Sequence, residues 1–530
     1  MPSLPEAAAS GTLPAHFASL LRPEAYPHPV AAVRLIETHI SWVFLTGEFA
    51  YKIKRPVQYS FVDLRSSERR AFFCREELRL NRRFAPELYV DVCAVTLDSG
   101  VARILGSGEV IDHAVRMHEF RGEEQLERLL LRDALADSEL ERFGRELANL
   151  HERLPVVAEG EDWGRPLSVR GLLMRNLEEC LQASEGLGTQ ETLRALAGGY
   201  QALLAAAESC ITSRRRAGRV RECHGDLHAG NVVRCGGRLL AFDCIEFEPD
   251  FRWIDVAQEC AFLFMDLGAR GFPRRAQVFL GGYLAQSGDY QACRLLRLYA
   301  THCALVRAKV SALQALGATG AAVRADAREL HGRYLGCARE MLAPARPRLI
   351  LTCGLSGSGK TWLAARLADA LGAVHVRSDV ERQRIGGFGE GLRSDSGLGQ
   401  GMYSSEMNRK VYERLRQCAA DVLAGVYSVI VDATFQRSEE RRRMRALASE
   451  RVVGGVVVVF CHAPDAVLEA RVLARREARA DASEADLAVL SWQRRAFEPI
   501  RPDEQGIRLI DADTTRSDVV SRVLEQIADS

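Results

Sequence analysis

Lysine is nearly missing from this 530-residue chain: of its 71 basic residues only Lys52, Lys54, Lys309, Lys360 and Lys410 are lysine, and the rest are arginine. Arginine fills positions where any cation will serve, so a retained lysine marks a place that wants a compact ammonium on a flexible stem. A surplus of either charge is also absent. Lys+Arg (71) against Asp+Glu (70) leaves a formal net charge of +1, which disfavours a nucleic-acid partner, whose phosphates each want a cation. The 14 cysteines contain no CxxC pair and no regular spacing. They read as buried thiols of a reducing cytoplasm, not as a disulfide framework. No run approaches the ~18 apolar residues of a membrane helix; Val452 to Phe460 is broken by Gly454-Gly455 and reads as a buried strand. Met1 to Phe17 has neither a basic start nor a sustained apolar core, so no secretory signal is expected. Internal repeats and low-complexity tracts are lacking as well. Secreted, membrane and fibrous classes drop out.

What remains is a chain too long for one ordinary core, since domains hold ~100–200 residues. Residues 1–20, rich in Ala, Pro and Ser, are expected to be disordered. From Val33 to Lys54 the pattern is strand-like, with a turn at Glu37 to Ser41 and a tight hairpin at Thr46-Gly47-Glu48. Ser66 to Phe84 has helical periodicity. Strand-like runs follow at Leu88 to Leu97 and Val110 to Met117. Helical segments come next, at Gln125 to Arg153, Val169 to Leu181 and Thr192 to Ala217, and again from Trp253 to about Met341. Ala343-Pro344-Ala345-Arg346-Pro347 interrupts this series and marks a boundary. Beyond it strands and helices alternate to the end, the pattern of a parallel sheet. The expected division is therefore a domain at 21–342, a linker at 343–347 and a domain at 348–530.

The second domain opens with an apolar strand, Arg348 to Cys353, that runs into Gly354-Leu355-Ser356-Gly357-Ser358-Gly359-Lys360-Thr361. This fits G-x-x-x-x-G-K-[ST] in the required strand–loop–helix context. Glycines let backbone amides curl around phosphate oxygens, and the following helix points its positive end at them. Lys360 is expected to reach the outer phosphates and Thr361 to supply a hydroxyl for Mg²⁺. Two further strands end in acids, at Ser378-Asp379 and Asp432, where ligands of parallel sheets bind. Asp432 fits a metal-binding acid, and Asp379 a base for an acceptor hydroxyl. Arg377 and Arg382 flank Asp379 and suit an anionic acceptor. Arg471, Arg475, Arg476 and Arg479 fall at helical spacing, as a lid that offsets phosphate charge would require, with Arg475 expected at the nucleotide.

In the first domain the informative stretch is His224-Gly225-Asp226-Leu227-His228-Ala229-Gly230-Asn231. A strand follows, then a Gly236-Gly237 turn, then a strand ending at Asp243, a hairpin signal. Folding it there places Asn231 nearly opposite Asp243, with Cα atoms ~4.5–5.5 Å apart. A carboxamide oxygen and a carboxylate that close suit Mg²⁺, which prefers hard oxygen ligands. Asp226 precedes them, placed to accept a proton from an attacking hydroxyl. Base, metal ligand, metal ligand is the order of a protein-kinase-type phosphotransferase.

These motifs carry two resemblances. Residues 347–530 resemble the small P-loop kinases of the gluconate kinase, zeta-toxin and polynucleotide kinase type, on the P-loop together with Arg377-Ser378-Asp379-Val380-Glu381-Arg382 and Val431-Asp432-Ala433-Thr434-Phe435. Residues 30–335 resemble the aminoglycoside phosphotransferase family, on the His-Gly-Asp loop, Asn231 and the acid of Phe242-Asp243-Cys244. Together the halves resemble bacterial bifunctional aminoglycoside phosphotransferase/ATP-binding proteins, which share Thr38 to Phe44, Phe242 to Phe247 and Asp481-Ala482-Ser483-Glu484-Ala485-Asp486.

The resemblance implies an α/β and α+β chain: an N-terminal protein-kinase-like two-lobed fold, then a C-terminal P-loop NTPase with a parallel sheet. It implies that Lys52 or Lys54 meets the ATP phosphates and pairs with Glu77, or with Glu76. The phosphate-covering loop would be Thr38-His39-Ile40-Ser41, which has no glycine, with Thr38 and Ser41 at the nucleotide. Val115 to Phe120 would hold adenine, His224 would orient the loop, and Asp255 would brace it from the next helix. The expected activity is ATP- and Mg²⁺-dependent transfer of a phosphoryl group to a small-molecule hydroxyl at two nucleotide sites. Two alternatives stay open: a first half that only senses or binds substrate, and a polynucleotide 5′-hydroxyl kinase.

Overall fold

The computed structural model describes residues 13–59, 62–318, 320–387, 404–450, 455–478, 487–501, 504 and 506–528. The expectations for residues 1–12, Arg479 and Asp481 to Asp486, and for the side chains of Arg475 and Arg476, lie outside the described residues. The chain divides into two units: Met1–Phe272 with Leu298–Leu342, and Pro273–Arg297 with Ala343–Ser530.

The first unit begins with a six-stranded antiparallel sheet in the order Arg34–Glu37, Ser41–Leu45, Phe49–Lys54, Glu109–His118, Tyr89–Asp98, Val101–Ile104. Alternation along Ser41–Leu45 sends Trp42 and Phe44 to one face, where they join Tyr51, Ile53 and Val95 in a core. The 3-10 helix Ala15–Leu21 closes that core with Phe17 and Leu20. Part of the segment expected to be disordered is therefore ordered, because two apolar side chains spaced for one face have a sheet to pack on. The other face of the sheet carries Ala50, Val115 and Met117 and meets the helix Ser67–Asn81. That helix starts at Ser66, whose hydroxyl accepts the Arg69 amide.

A helical region follows. The long helix expected over Gln125 to Arg153 is two, Leu126–Leu131 and Asp137–His151. Asp133 is left-handed (φ 50) between them, and the Glu139 carboxylate accepts the Ala136 amide to start the second. The Gly-Gly hairpin forms as expected, Val232–Cys235 against Arg238–Ala241, with Val232 opposite Ala241. A short antiparallel pair, Val220–Glu222 with Trp253–Asp255, brackets the loop that contains Asp226.

The second unit is built on a parallel five-stranded sheet in the order Val374–Arg377, Val429–Asp432, Leu349–Cys353, Val456–His462, Ile507–Asp513. The central strand Leu349–Cys353 is wholly buried, as a strand covered on both faces must be. Helices Lys360–Leu371 and Val519–Ala528 cover one face through Leu363, Leu367, Val519, Val523 and Ile527. The helix Pro273–Ser287 packs on Lys360–Leu371 and Val374–Arg377. The segment 273–297, expected with the first domain, thus belongs to the second unit by its contacts.

Phe17 meets Trp42 edge-on at 5.7 Å. Phe17→Ala is expected to cost the first unit about 3–5 kcal/mol. Urea denaturation followed by tryptophan fluorescence checks this, and an unchanged midpoint would contradict the N-terminal closure of the core.

Candidate active sites

In the first unit the strand Phe49–Lys54 places Lys52 and Lys54 on one face, two residues apart. Both reach Glu77. Lys52 Nζ donates to Glu77 Oε1 (2.8 Å) and to Asp243 Oδ1 (2.5 Å). Lys54 Nζ donates to Glu77 Oε2 (2.7 Å) and to Glu246. The alternative acid, Glu76, pairs instead with Arg79. The two ends of this row differ in access. The Lys54 and Glu77 side chains are fully buried, whereas Lys52 is 12% and Asp243 45% exposed. Burial pushes the Glu77 carboxyl up, but the two lysines pull it down to about 2. Burial raises Glu246 above the usual carboxylate range even though Lys54 opposes it.

The loop from Cys223 to Asn231 is held from below. Glu259 accepts the amides of His224 (2.6 Å) and Gly225 (3.0 Å), and Asp266 accepts that of Ala229 (2.9 Å). Gly225 has φ 88, and a Cβ there would sit 2.7 Å from the Phe251 carbonyl oxygen, so only glycine fits. The Asp226 amide donates to His224 Nδ1 (3.3 Å), which leaves Nε2–H to donate to the Phe242 carbonyl (2.8 Å). His224 thus ties the loop to the end of the hairpin. Asp255 does not brace the loop. It holds Arg214 through two 2.8 Å bonds and caps the next helix at the Ala257 amide. The brace lies one turn on, at Glu259. Ligand atoms of His151, Cys223 and Glu259 lie within 4.8 Å of one another, but both Glu259 oxygens already hold loop amides, so the cluster is a buried support.

Asn231 Nδ2 donates to the Asp226 carbonyl (3.0 Å) and carboxylate (3.2 Å). Its Oδ1 is thereby left as an acceptor. Asn231 faces Phe242 across the hairpin, its carbonyl taking the Phe242 amide (2.9 Å), and Asp243 is the next residue. Asp243 has φ 65, a left-handed conformation that a non-glycine residue adopts at a cost, often at functional sites. Asn231 Oδ1 and the Asp243 carboxylate are hard oxygens that fit Mg²⁺. Burial pushes Asp226 up, but His228, with Nε2 at 3.5 Å, and Arg307 lower it to about 2. Asp226 is therefore an ionised carboxylate.

Thr38 and Ser41 do not present their hydroxyls. Thr38 Oγ1 accepts the Ser41 amide (2.9 Å) and donates to its carbonyl (3.0 Å), closing the turn, while the Ser41 side chain is buried. The hinge strand reaches His118, whose amide bonds the Leu88 carbonyl (2.8 Å). Val43, Ala50, Met117, Phe120, Leu240 and Phe242 belong to one apolar cluster beside it, a surface suited to a flat heterocycle.

The second unit holds a cavity of about 1250 Å³ lined by Ser356, Gly357, Gly359, Lys360 and Thr361, by Asp379, Arg382 and Asp432, and by Arg471. Gly354 (φ 140), Gly357 (φ 82) and Gly359 (φ 80) shape the loop; a Cβ on Gly354 would lie 2.2 Å from the Cys461 carbonyl oxygen. Leu355 packs behind the loop on Leu468, Val472 and Leu490, and Ser358 is buried. Register puts Asp432 beside both Thr352 and Arg377 at the carboxyl ends of neighbouring strands. Burial opposes ionisation of Asp432, but His375, Thr361 and Lys360 hold its carboxyl below the usual range. The Thr352 hydroxyl donates to it at 3.0 Å. Asp379 stands in the first turn of the helix Ser378–Gly386. Arg471 is not part of a loose lid: it donates to the Gly357 carbonyl (3.3 Å) and to Thr514 Oγ1 (2.9 Å).

Sequence reasoning missed Glu246, Glu259, Asp266 and Arg307. A signal existed for two of them: Glu259 and Asp266 are acids inside Val256 to Leu267, an otherwise mostly apolar run that is buried throughout, and a buried acid requires partners. The buried histidines generate a test. Burial lowers His224 from 6.5 to about 4 and His151 to about 3. At these two imidazoles the unfolded chain binds more protons than the folded one between 6.5 and about 4, so they lower stability as pH drops through that window, while Glu259, pushed up to about 7 by burial, opposes them. His224→Gln should make the melting midpoint less sensitive to acid between about pH 7 and about pH 5; a pH dependence unchanged by that substitution would contradict the buried neutral imidazole.

Residues 59–296 match the family model described as "Phosphotransferase enzyme family", and residues 349–500 match one described as "AAA domain". Uncharacterized proteins of Mycobacterium tuberculosis and Mycobacterium bovis are 30% identical over 468 residues, 88% of this chain and 91% of theirs. Among solved structures, a choline/ethanolamine kinase family protein from Mesorhizobium loti is similar at 15% identity over 62% of this chain and 98% of its own, with a TM-score of 0.33. A gluconokinase from Sinorhizobium meliloti is similar at 22% identity over 35% of this chain and 94% of its own, with a TM-score of 0.24. The chain belongs to the family of those mycobacterial proteins, and it is a kinase-type enzyme that carries a phosphotransferase-family domain and a P-loop kinase domain.

Proposed function

We propose that each unit transfers the γ-phosphoryl group of ATP to the hydroxyl of a small molecule. The observation that carries this reading is the placement of Asp226, Asn231, Asp243 and Lys52 in one unit and of Lys360, Thr361, Asp379 and Asp432 around one cavity in the other. In the first unit Lys52, at the accessible end of its row, meets the phosphates. Lys54 stays with Glu77 and Glu246. Asn231 and Asp243 would hold Mg²⁺, as would Thr361 and Asp432 in the second unit. Bound there, Mg²⁺ supplies positive charge against the phosphate oxygens.

The chain's own groups then act on the acceptor. Asp226 or Asp379 accepts its proton as the hydroxyl oxygen bonds to the γ-phosphorus. The bond from that phosphorus to the bridging oxygen breaks, and ADP leaves with the electron pair. Lys360 and Arg471 offset charge in the second cavity, and Arg382 suits an anionic acceptor there. Arg475 is proposed for the same nucleotide. The reaction is placed in the cytoplasm, in keeping with 14 free cysteines. No helix among the described residues is long and apolar enough to cross a membrane.

Two sets of variants test this. Lys360→Ala should remove nucleotide binding from the second unit only. In that background, Asp226→Asn should keep nucleotide and lose turnover by about 10²–10⁴-fold. Asp243→Asn should abolish Mg²⁺-dependent transfer with the fold intact. Turnover is read as ADP release across a panel of metabolite alcohols, nucleosides and RNA ends. Unchanged turnover in both aspartate variants would contradict catalysis by the first unit and leave it a binding module.

A further inference from the structure

A cavity of about 320 Å³ in the first unit takes no part in the reading above, and neither Asp226, Asn231, Asp243 nor Lys52 lines it. Its walls come from the helices Pro166–Ala183, Gln190–Arg216, Val256–Ala269 and Cys293–Gly317 and from the strand pair Val220–Glu222 with Trp253–Asp255. Trp163, Leu172, Ile211, Val220, Trp253 and Ile254 supply its apolar surface. Trp163 and Trp253 lie ring against ring, 5.2 Å apart and 6° from parallel. The Trp163 indole donates to Asp250 Oδ1 at 2.8 Å, which holds the stack in place.

Two further lining residues, Gln258 and Tyr299, are polar and buried. Tyr299 is 1% and Gln258 9% exposed, and neither side chain makes a hydrogen bond to another described residue. A buried hydroxyl or carboxamide without a partner is costly, so such groups rarely persist unless something else satisfies them. Burial, with Asp255 near by, raises the Tyr299 hydroxyl well above its usual range, so it is a neutral donor and acceptor. Gln258 presents a donor and an acceptor side by side. The buried acid of the wall, Asp255, is already used: Arg214 takes both its oxygens at 2.8 Å and offsets its charge. The other charged lining residues, Asp162, Arg175 and Asp250, are exposed. The buried part of the cavity therefore offers neutral hydrogen bonds between apolar walls. A charged ligand would lose its hydration there and gain no counter-charge.

We propose that this cavity binds a small, uncharged, planar heterocycle with an amide-type edge, such as a nucleobase or a ring carboxamide. The edge pairs with the Gln258 carboxamide, the Tyr299 hydroxyl takes a further polar atom, and the ring lies among the apolar side chains. A carboxamide matches a donor–acceptor edge bidentately, indole walls suit a flat ring, and the volume is at the small end of ligand pockets. The site is separate from the phosphoryl-transfer site proposed for this unit and does not depend on it.

The test is calorimetry and thermal denaturation of the intact chain with four probes. Nicotinamide and uracil are uncharged and carry the edge; nicotinate and 1-methylnicotinamide are the anionic and cationic counterparts of the first. Nicotinamide or uracil should bind with a Kd of about 1 mM or tighter and raise the melting midpoint. Both charged probes should bind at least about tenfold more weakly. Gln258→Leu should weaken binding about tenfold, the worth of two hydrogen bonds, and Tyr299→Phe by a few-fold. Leu172→Trp, which fills the cavity, should abolish it. Without ligand, Tyr299→Phe should leave the melting midpoint unchanged or higher, because the hydroxyl has no partner to lose. No binding of nicotinamide or uracil, tighter binding of a charged probe, unchanged affinity in Gln258→Leu or in Leu172→Trp, or a lowered midpoint in unliganded Tyr299→Phe would each overturn the proposal.

Discussion

Glu77 is a carboxylate with no exposed surface and a lysine ammonium on each oxygen, and the first site is organised around it. Burying one carboxylate is costly unless it is paired. Pairing it twice fixes two lysines at a spacing of two residues, and each lysine then fixes a further acid. Lys54 holds Glu246 at the closed end, and Lys52 holds Asp243 at the open end. Glu246 and Asp243 lie on one segment, three residues apart. The row therefore anchors the segment after the hairpin to the sheet. In the proposed reaction Lys52 would turn to phosphate while Glu77 kept its second lysine, so the row would survive the exchange of Asp243 for phosphate. Breaking it at Lys54 would leave Glu77 and Glu246 buried with too little positive charge.

The second unit is proposed to meet phosphate by different means. Its P-loop glycines allow backbone approaches that a Cβ would block, as at Gly354 beside Cys461. The central strand brings the loop to the same edge as Asp432 and Asp379. In that proposal the first unit relies on side-chain charges supported by buried acids, and the second on backbone amides at a helix N-terminus. Both place a carboxylate base candidate and hard-oxygen metal donors together.

Much of this was legible because lysine is scarce, five among 71 basic residues, and because a phosphate loop or a tight hairpin demands glycine. Of five lysines, Lys52, Lys54 and Lys360 fall in the two sites. Lys309 does not: it forms a buried pair with Glu179 at 2.7 Å, and Lys410 forms a surface pair with Glu406. The P-loop and the Gly-Gly hairpin could be read because their local geometry demands particular residues. What could not be read depends on contacts distant in sequence. Asp255 and Glu259 are one helical turn apart and both acidic, and only the docking of the helix decides that Asp255 meets Arg214 while Glu259 meets the loop amides. The hydroxyls of Thr38 and Ser41 looked available, but a four-residue turn uses the first and strand pairing buries the second. Arg471 fits a solvated stripe by spacing, yet Thr514, from the far end of the sheet, holds it to the P-loop. Arg307 is separated from Asp226 by 81 positions in the chain, and nothing local marks it.

The reading proposed for the two units requires two nucleotide sites, one for each kind of phosphate recognition. Equilibrium dialysis of the intact chain with Mg²⁺ and a radiolabelled, non-hydrolysable ATP analogue measures it most directly. The account predicts two molecules bound per chain at saturation, and one when Lys52 is replaced by methionine. A single molecule bound to the unaltered chain, and still one after Lys52→Met, would contradict it.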